Sequence, residues 1–127
     1  MKLSVLIPAR NEEFLQNTIE DLLQHIEGDT EIIVVLDGWK PDYLLSGNLN
    51  GEKIRYIYLS ESIGQRAAQN LAAKEAKGEY LMKLDAHVSM SQGFDRIMLE
   101  EIEKLGDAVL VPALGRLHAY DWVCGKC

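Results

Sequence analysis

The chain has 127 residues, 47% of them hydrophobic and 26% charged, with a formal net charge of −7. That size and balance exclude a disordered polypeptide and leave one domain, residues 1–127, long enough to bury a core. The acidity argues against a nucleic-acid partner, whose phosphates call for a basic surface, and no apolar run is long enough to span a membrane.

In chain order, the first apolar run is Leu3–Ile7, a strand that Pro8 is expected to end. Phe14, Ile19, Leu22, Leu23 and Ile26 then recur at helical spacing, with Gly28 as the helix stop. Glu31–Leu36 predicts a second strand, and Pro41–Gly51, with its Gly, Asn and Pro, a loop holding at most one helical turn. Lys53–Leu59 predicts a third strand. An Ala-rich helix from about Gly64 to Lys77, closed by Gly78, leads into a strand at Tyr80–Leu84. A helix from about Phe94 to Leu105, closed by Gly106, and a fifth strand at Ala108–Val111 complete the set. Apolar runs alternating with helical segments predict an α/β fold, a three-layer α/β/α sandwich around a mostly parallel sheet. The chain starts directly on a strand pattern with no secretory core. Its two cysteines, Cys124 and Cys127, lie too near the C-terminus to staple that sheet, so a cytoplasmic location is expected.

Open α/β sheets bind ligands beyond the C-terminal ends of their strands. The segments to weigh are therefore Pro8–Glu12, Asp37–Trp39, Ser60–Gly64 and Asp85–His87. Residues two apart on an extended segment face one side, so the Asp85 carboxylate and His87 imidazole can converge. An oxygen and a nitrogen donor suit manganese or a similar divalent ion, which would neutralise a diphosphate and stabilise it as a leaving group. A capping Asp beside an incidental loop His would give the same triplet. Asp37 could accept the imide N–H of a uracil, although Asp37-Gly38 is equally a common turn pair. Trp39 reads best as a cover for the sheet edge. Glu12 and Glu13 suit the positive end of the following helix, whereas Arg10 brings a guanidinium plane able to stack on a base or pair with phosphate. Gly64 and Arg66 open a helix whose N-terminus could meet a phosphate, and a solvent-facing Arg explains Arg66 as well. Cys124-x-x-Cys127 lacks both a following helix for redox use and two further ligands for zinc. His25 and His118 read as non-functional.

Together these segments resemble the GT-A glycosyltransferases, both the large bacterial family opening on Val-x-Ile-Pro-x-x-Asn-Glu and the polypeptide N-acetylgalactosaminyltransferases. The opening here is Ser4-Val5-Leu6-Ile7-Pro8-Ala9-Arg10-Asn11-Glu12-Glu13. The second block is Glu31 to Gly38, where Asp37 keeps the second of two acidic residues usual in the family. Gly64 to Asn70 and Ala76 to Leu81 follow, and Leu84-Asp85-Ala86-His87 ends in the Asp-x-His of the N-acetylgalactosaminyltransferases rather than the bacterial Asp-x-Asp. Gln69-Asn70 stands where the family commonly has Arg-Asn. The matched blocks span residues 3–112.

The resemblance implies a Rossmann-like GT-A fold. It implies a UDP-sugar held by Pro8, Arg10, Glu12, Asp37, Gly64, Arg66, Asp85 and Ala86, with Asp37 on the base and Arg10 beside it. It also implies Mn²⁺ or Mg²⁺ on Asp85 and His87. The family's acceptor-binding half has no counterpart in these blocks, and His118 follows His87 too soon to match its later metal histidine. No catalytic base and no acceptor are therefore assigned. The expected function is glycosyl transfer from a nucleoside-diphosphate sugar. The alternative is a non-catalytic nucleotide-sugar-binding module, or one part of an enzyme completed by self-association or a second chain. A nucleotidyltransferase would need a Gly-rich phosphate loop after the first strand, and none is present.

Overall fold

A computed structural model describes residues 1–43 and 53–115; most of the Pro41–Gly51 loop, together with His118, Cys124 and Cys127, lies outside the described residues. The elements are β1 (Leu3–Ala9), α1 (Leu15–His25), β2 (Thr30–Asp37), β3 (Ile54–Leu59), α2 (Gln65–Glu75), β4 (Tyr80–Lys83) and α3 (Phe94–Leu105). The four strands form one sheet in the order β3-β2-β1-β4, and every pairing is parallel.

Why the sheet needs three layers follows from its apolar runs. All eight residues of β2 and all seven of β1 are buried, so both faces of these strands must be covered. On one face Val5, Ile7, Ile32 and Val34 pack against Leu15, Ile19 and Leu22 of α1 and Phe94 of α3. On the other face Leu6, Ile33 and Val35 meet Ala68 and Ala72 of α2. Alanine on that helix lets its backbone approach the sheet closely. Gly78 serves the same end, because a Cβ there would lie 2.6 Å from the Ser4 nitrogen.

Three expectations from sequence require correction. Pro8 does not end β1; it pairs with Val35 inside the strand. The even-numbered β1 residues face β4, as the bonds from Tyr80 N–H to Lys2 C=O and from Leu84 N–H to Leu6 C=O show. The β1–β4 pairing stops at Leu6↔Lys83, so the N–H that Pro8 lacks is not called for. Residues 108–111 form no strand, and Val109 and Val111 are 90% and 81% exposed. An apolar run becomes a strand only when a neighbouring backbone takes its hydrogen bonds, and among the described residues none does. Helices α1 and α2 stop at His25 and Glu75, each passing into an extended residue before Gly28 and Gly78 are reached. Only α3 ends on its expected glycine, Gly106, at φ 75°.

Candidate functional site

Because all four strands are parallel, their C-terminal ends meet at one edge of the sheet. From β1 the chain moves outward to β2 and β3, then returns to the other side of β1 as β4. The change of direction leaves a crevice at the C-terminal ends, where open α/β sheets bind ligands. A cleft of about 390 Å³ occupies this position, lined by Pro8 and Ala9 at the end of β1, Arg10 and Glu12 just beyond it, Asp37 at the end of β2, Ser62, Gly64 and Gln65 before and in α2, and Asp85, Ala86 and His87 after β4.

On one wall, Asp37 is 4% exposed and accepts three hydrogen bonds: from Ile63 N–H at 2.7 Å, the Ser62 hydroxyl at 2.9 Å and Gly64 N–H at 3.1 Å. Burial pushes its carboxyl up, but these donors and the nearby Arg10 charge outweigh it and hold the group below the usual carboxylate range. Arg10 in turn donates to the Ser62 oxygen at 3.1 Å, so Asp37, Ser62 and Arg10 form one connected wall. Gly38 makes this wall possible. It has φ +66°, and a Cβ on it would lie 2.4 Å from the Ser62 nitrogen. The chain leaves β1 through Asn11 at φ 53°, a left-handed turn that asparagine tolerates, and this swings Glu12 back toward the cleft.

Opposite, Leu84 and Ala86 are buried while Asp85 and His87 are exposed, the alternation expected of an extended segment. The His87 Nδ1 lies 3.4 Å from the Glu12 Oε2, so the other ring nitrogen is the one left for a ligand. Glu12 thus faces His87 rather than capping α1, whose first turn holds no acidic residue. Among the described residues no three His, Cys, Asp or Glu side chains converge as metal ligands. The cleft nevertheless has an oxygen donor, Asp85, and a nitrogen donor, His87, in its lining. It also sets three carboxylates, Glu12, Asp37 and Asp85, against the single guanidinium of Arg10. Such a donor set and charge balance fit a divalent cation that keeps other positions for water or phosphate oxygens.

Of the residues singled out from sequence, Pro8, Arg10, Glu12, Asp37, Gly64, Asp85, Ala86 and His87 all line the cleft. Arg66 does not; it stands exposed on the first turn of α2. Trp39 is half-buried and packs against the core, in keeping with a covering role. Ala9, Ser62 and Gln65 line the cleft without having been singled out. All three fall inside segments that the sequence brings forward, Pro8–Glu12, Ser60–Gly64 and Gly64–Asn70, but none carries a charge to mark it.

The parallel sheet, its covering helices and this crevice define a Rossmann-like domain of the GT-A class. The chain belongs to Glycosyl transferase family 2, whose model matches residues 4–117. It is 32% identical over 108 residues to the uncharacterized glycosyltransferase EpsJ of Bacillus subtilis (strain 168), a stretch covering 80% of this chain and 30% of that protein. Over 65 residues it is 37% identical to a Drosophila melanogaster protein named "Putative inactive polypeptide N-acetylgalactosaminyltransferase 12", covering 51% of this chain and 12% of that one. S. aureus TarS 1–349 in complex with UDP shares the fold with a TM-score of 0.71 at 22% identity, over 82% of this chain and 32% of TarS 1–349. The same protein in complex with UDP-GlcNAc gives 0.66 at 20% identity over the same shares of both chains. The chain therefore spans less than a third of the length of these relatives. No described helix is long and apolar enough to cross a membrane.

Proposed function

We propose that the cleft binds a nucleoside-diphosphate sugar, specifically a UDP-sugar, together with Mn²⁺ or Mg²⁺, in the service of glycosyl transfer. The observation that carries this reading is the convergence of Asp85 and His87 on the cleft that Arg10 and Asp37 line from the other wall. A dianionic diphosphate would meet three carboxylates there, and the single Arg10 charge is too little to offset them. A bound divalent cation supplies the missing positive charge and stabilises the departing diphosphate. Asp85 and the ring nitrogen of His87 turned away from Glu12 would hold it. Glu12 keeps the His87 ring oriented through the other nitrogen. Arg10, held by Ser62, would lie beside the base or the phosphates. The one remaining lone pair of Asp37, on Oδ1, would take the imide N–H of uracil while its bonded ones fix the 62–64 turn. The TarS complexes with UDP and UDP-GlcNAc support this choice of ligand.

Calorimetry of UDP with the 127-residue chain, with and without Mn²⁺, tests the reading. Asp85→Ala and His87→Ala should each cut the Mn²⁺-supported affinity roughly tenfold or more, with metal-free binding unchanged. Equal binding in every condition would remove the metal from the site. The relative named as inactive keeps a second reading in view, a module that binds the donor without transferring it. Labelled UDP-sugars incubated with Mn²⁺ and a panel of acceptors separate the two by turnover.

A further inference from the structure

Helix α1 carries a stripe of polar groups, Thr18, Asp21 and the His25 carbonyl, each of which bonds to residues 86–93, the segment that follows β4; Asp21 also lies 3.3 Å from His25 Nδ1 on its own helix. Thr18 is the innermost of them and is 1% exposed. Its hydroxyl donates to the Ala86 carbonyl at 2.9 Å and accepts the Val88 N–H at 3.2 Å. One oxygen therefore ties down the residue before His87 and the residue after it. Further out, Asp21 accepts from the Ser89 hydroxyl at 2.9 Å and from Met90 N–H at 2.8 Å. The His25 carbonyl accepts from Gly93 N–H at 2.8 Å. The segment has no regular secondary structure of its own, so these bonds to α1 stand in place of a ladder.

We propose that Thr18 is a positioning residue for the cation. By bracketing His87 from inside the core, its hydroxyl fixes the backbone that presents the imidazole and the Asp85 carboxylate to the same point. The inference rests on the metal reading given above. A buried threonine in this place has a bland explanation, since its methyl packs in the core. A valine would serve that purpose equally and would leave both backbone groups unpaired. The hydroxyl is thus the part that the packing does not require.

The test compares the ratio of UDP dissociation constants without and with Mn²⁺ in the unaltered chain, Thr18→Val, Thr18→Ser and Asp85→Ala. Groups supporting a metal ligand typically alter metal affinity by 10–100-fold, and Thr18→Val is expected to lower this ratio by about tenfold. Thr18→Ser keeps the hydroxyl and is expected to restore the ratio. Metal-free UDP binding stays the same in all, and the Val88 amide exchanges faster in Thr18→Val alone. A purely structural role would lower the melting temperature without moving the ratio in the folded protein. An unchanged ratio in Thr18→Val beside a collapsed ratio in Asp85→Ala overturns this inference and leaves the metal reading standing. No Mn²⁺ dependence in the unaltered chain overturns both. Should Thr18→Val fail to fold, Thr18→Ala removes the same hydroxyl, and a ratio equal to that of the unaltered chain would then overturn the proposal.

Discussion

Asp37 and Gly38 show how much of the cleft depends on two adjacent residues. The carboxylate gathers two N–H groups and a hydroxyl from residues 62–64, and the glycine lets that turn come within contact of the β2 end. A side chain at position 38 would sit on a left-handed backbone with its Cβ only 2.4 Å from the Ser62 nitrogen. Strain of this kind costs about 1–3 kcal/mol per residue, and the steric clash adds to it. Gly38→Ala is therefore expected to lower stability by at least about 2 kcal/mol and to weaken UDP binding, because Ser62 and Arg10 move with the turn. Urea unfolding followed by titration with UDP measures both. An unchanged unfolding midpoint would mean that the turn yields without cost.

At the scale of elements, two buried carboxylates fasten helices to the sheet. Asp95, at the start of α3, is fully buried and accepts from Glu27 N–H, Gly28 N–H and the Thr30 hydroxyl at 2.7–3.1 Å. Glu31 on β2 accepts from the Ser4 hydroxyl, Lys77 N–H and Arg55, and so ties the far end of α2 to three strands. In both, burial pushes the carboxyl up but the donors prevail and hold it below its ordinary value. A carboxyl lowered by folding contributes stability that is complete above its unfolded value of about 4 and is lost as pH falls through the folded value. Acid unfolding should thus begin below roughly pH 4, with Glu31, Asp37 and Asp95 all contributing. Asp95→Asn should cost about 2–4 kcal/mol at neutral pH, with the gap from the unaltered chain narrowing as pH falls. Urea unfolding at several pH values checks this, and a gap independent of pH would rule out Asp95 as one of the titrating groups.

These clamps mark the limit of what the sequence displays. The apolar run of β2 announced a strand covered on both faces, and the period of Ile19 and Leu22 announced the face of α1 turned to the core. The strand ends then pointed to the cleft. No local pattern shows that Asp95 meets Gly28, or Thr18 meets Ala86, since those partners lie 67 and 68 residues apart. The same blindness explains Pro8 and residues 108–111. Whether a proline is tolerated, or an apolar run becomes a strand, depends on the neighbouring strand and not on the run itself.

For the molecule as a whole, the outer edge of β4 has no partner among the described residues, and Leu81 on it is 54% exposed. Further along the chain, Leu105, Val109, Val111 and Leu114 are between 61% and 90% exposed. An open strand edge and exposed aliphatic side chains are each a template for association between chains. The 127-residue chain is expected to self-associate as its concentration rises, and Leu81→Lys with Val109→Lys should suppress it. Sedimentation over a concentration series reads this out. A monomer throughout would show that Lys83 and the acidic surface already guard the edge.

The placement of β1 between β2 and β4 has a consequence for how the chain is made. Of the four described strands β1 is made first and ends between two others, and one of these neighbours lies more than seventy residues downstream. At roughly 5–20 residues per second, the β4-facing side of β1 stays bare for roughly 4–15 seconds after β1 itself has emerged. For that interval a strand whose seven residues are all buried in the folded sheet has its β4-facing hydrogen bonds unmade. β1 is thus most vulnerable to mispairing before β4 exists, and a chaperone that shields residues 3–9 during synthesis would act where the topology leaves that side of the strand exposed.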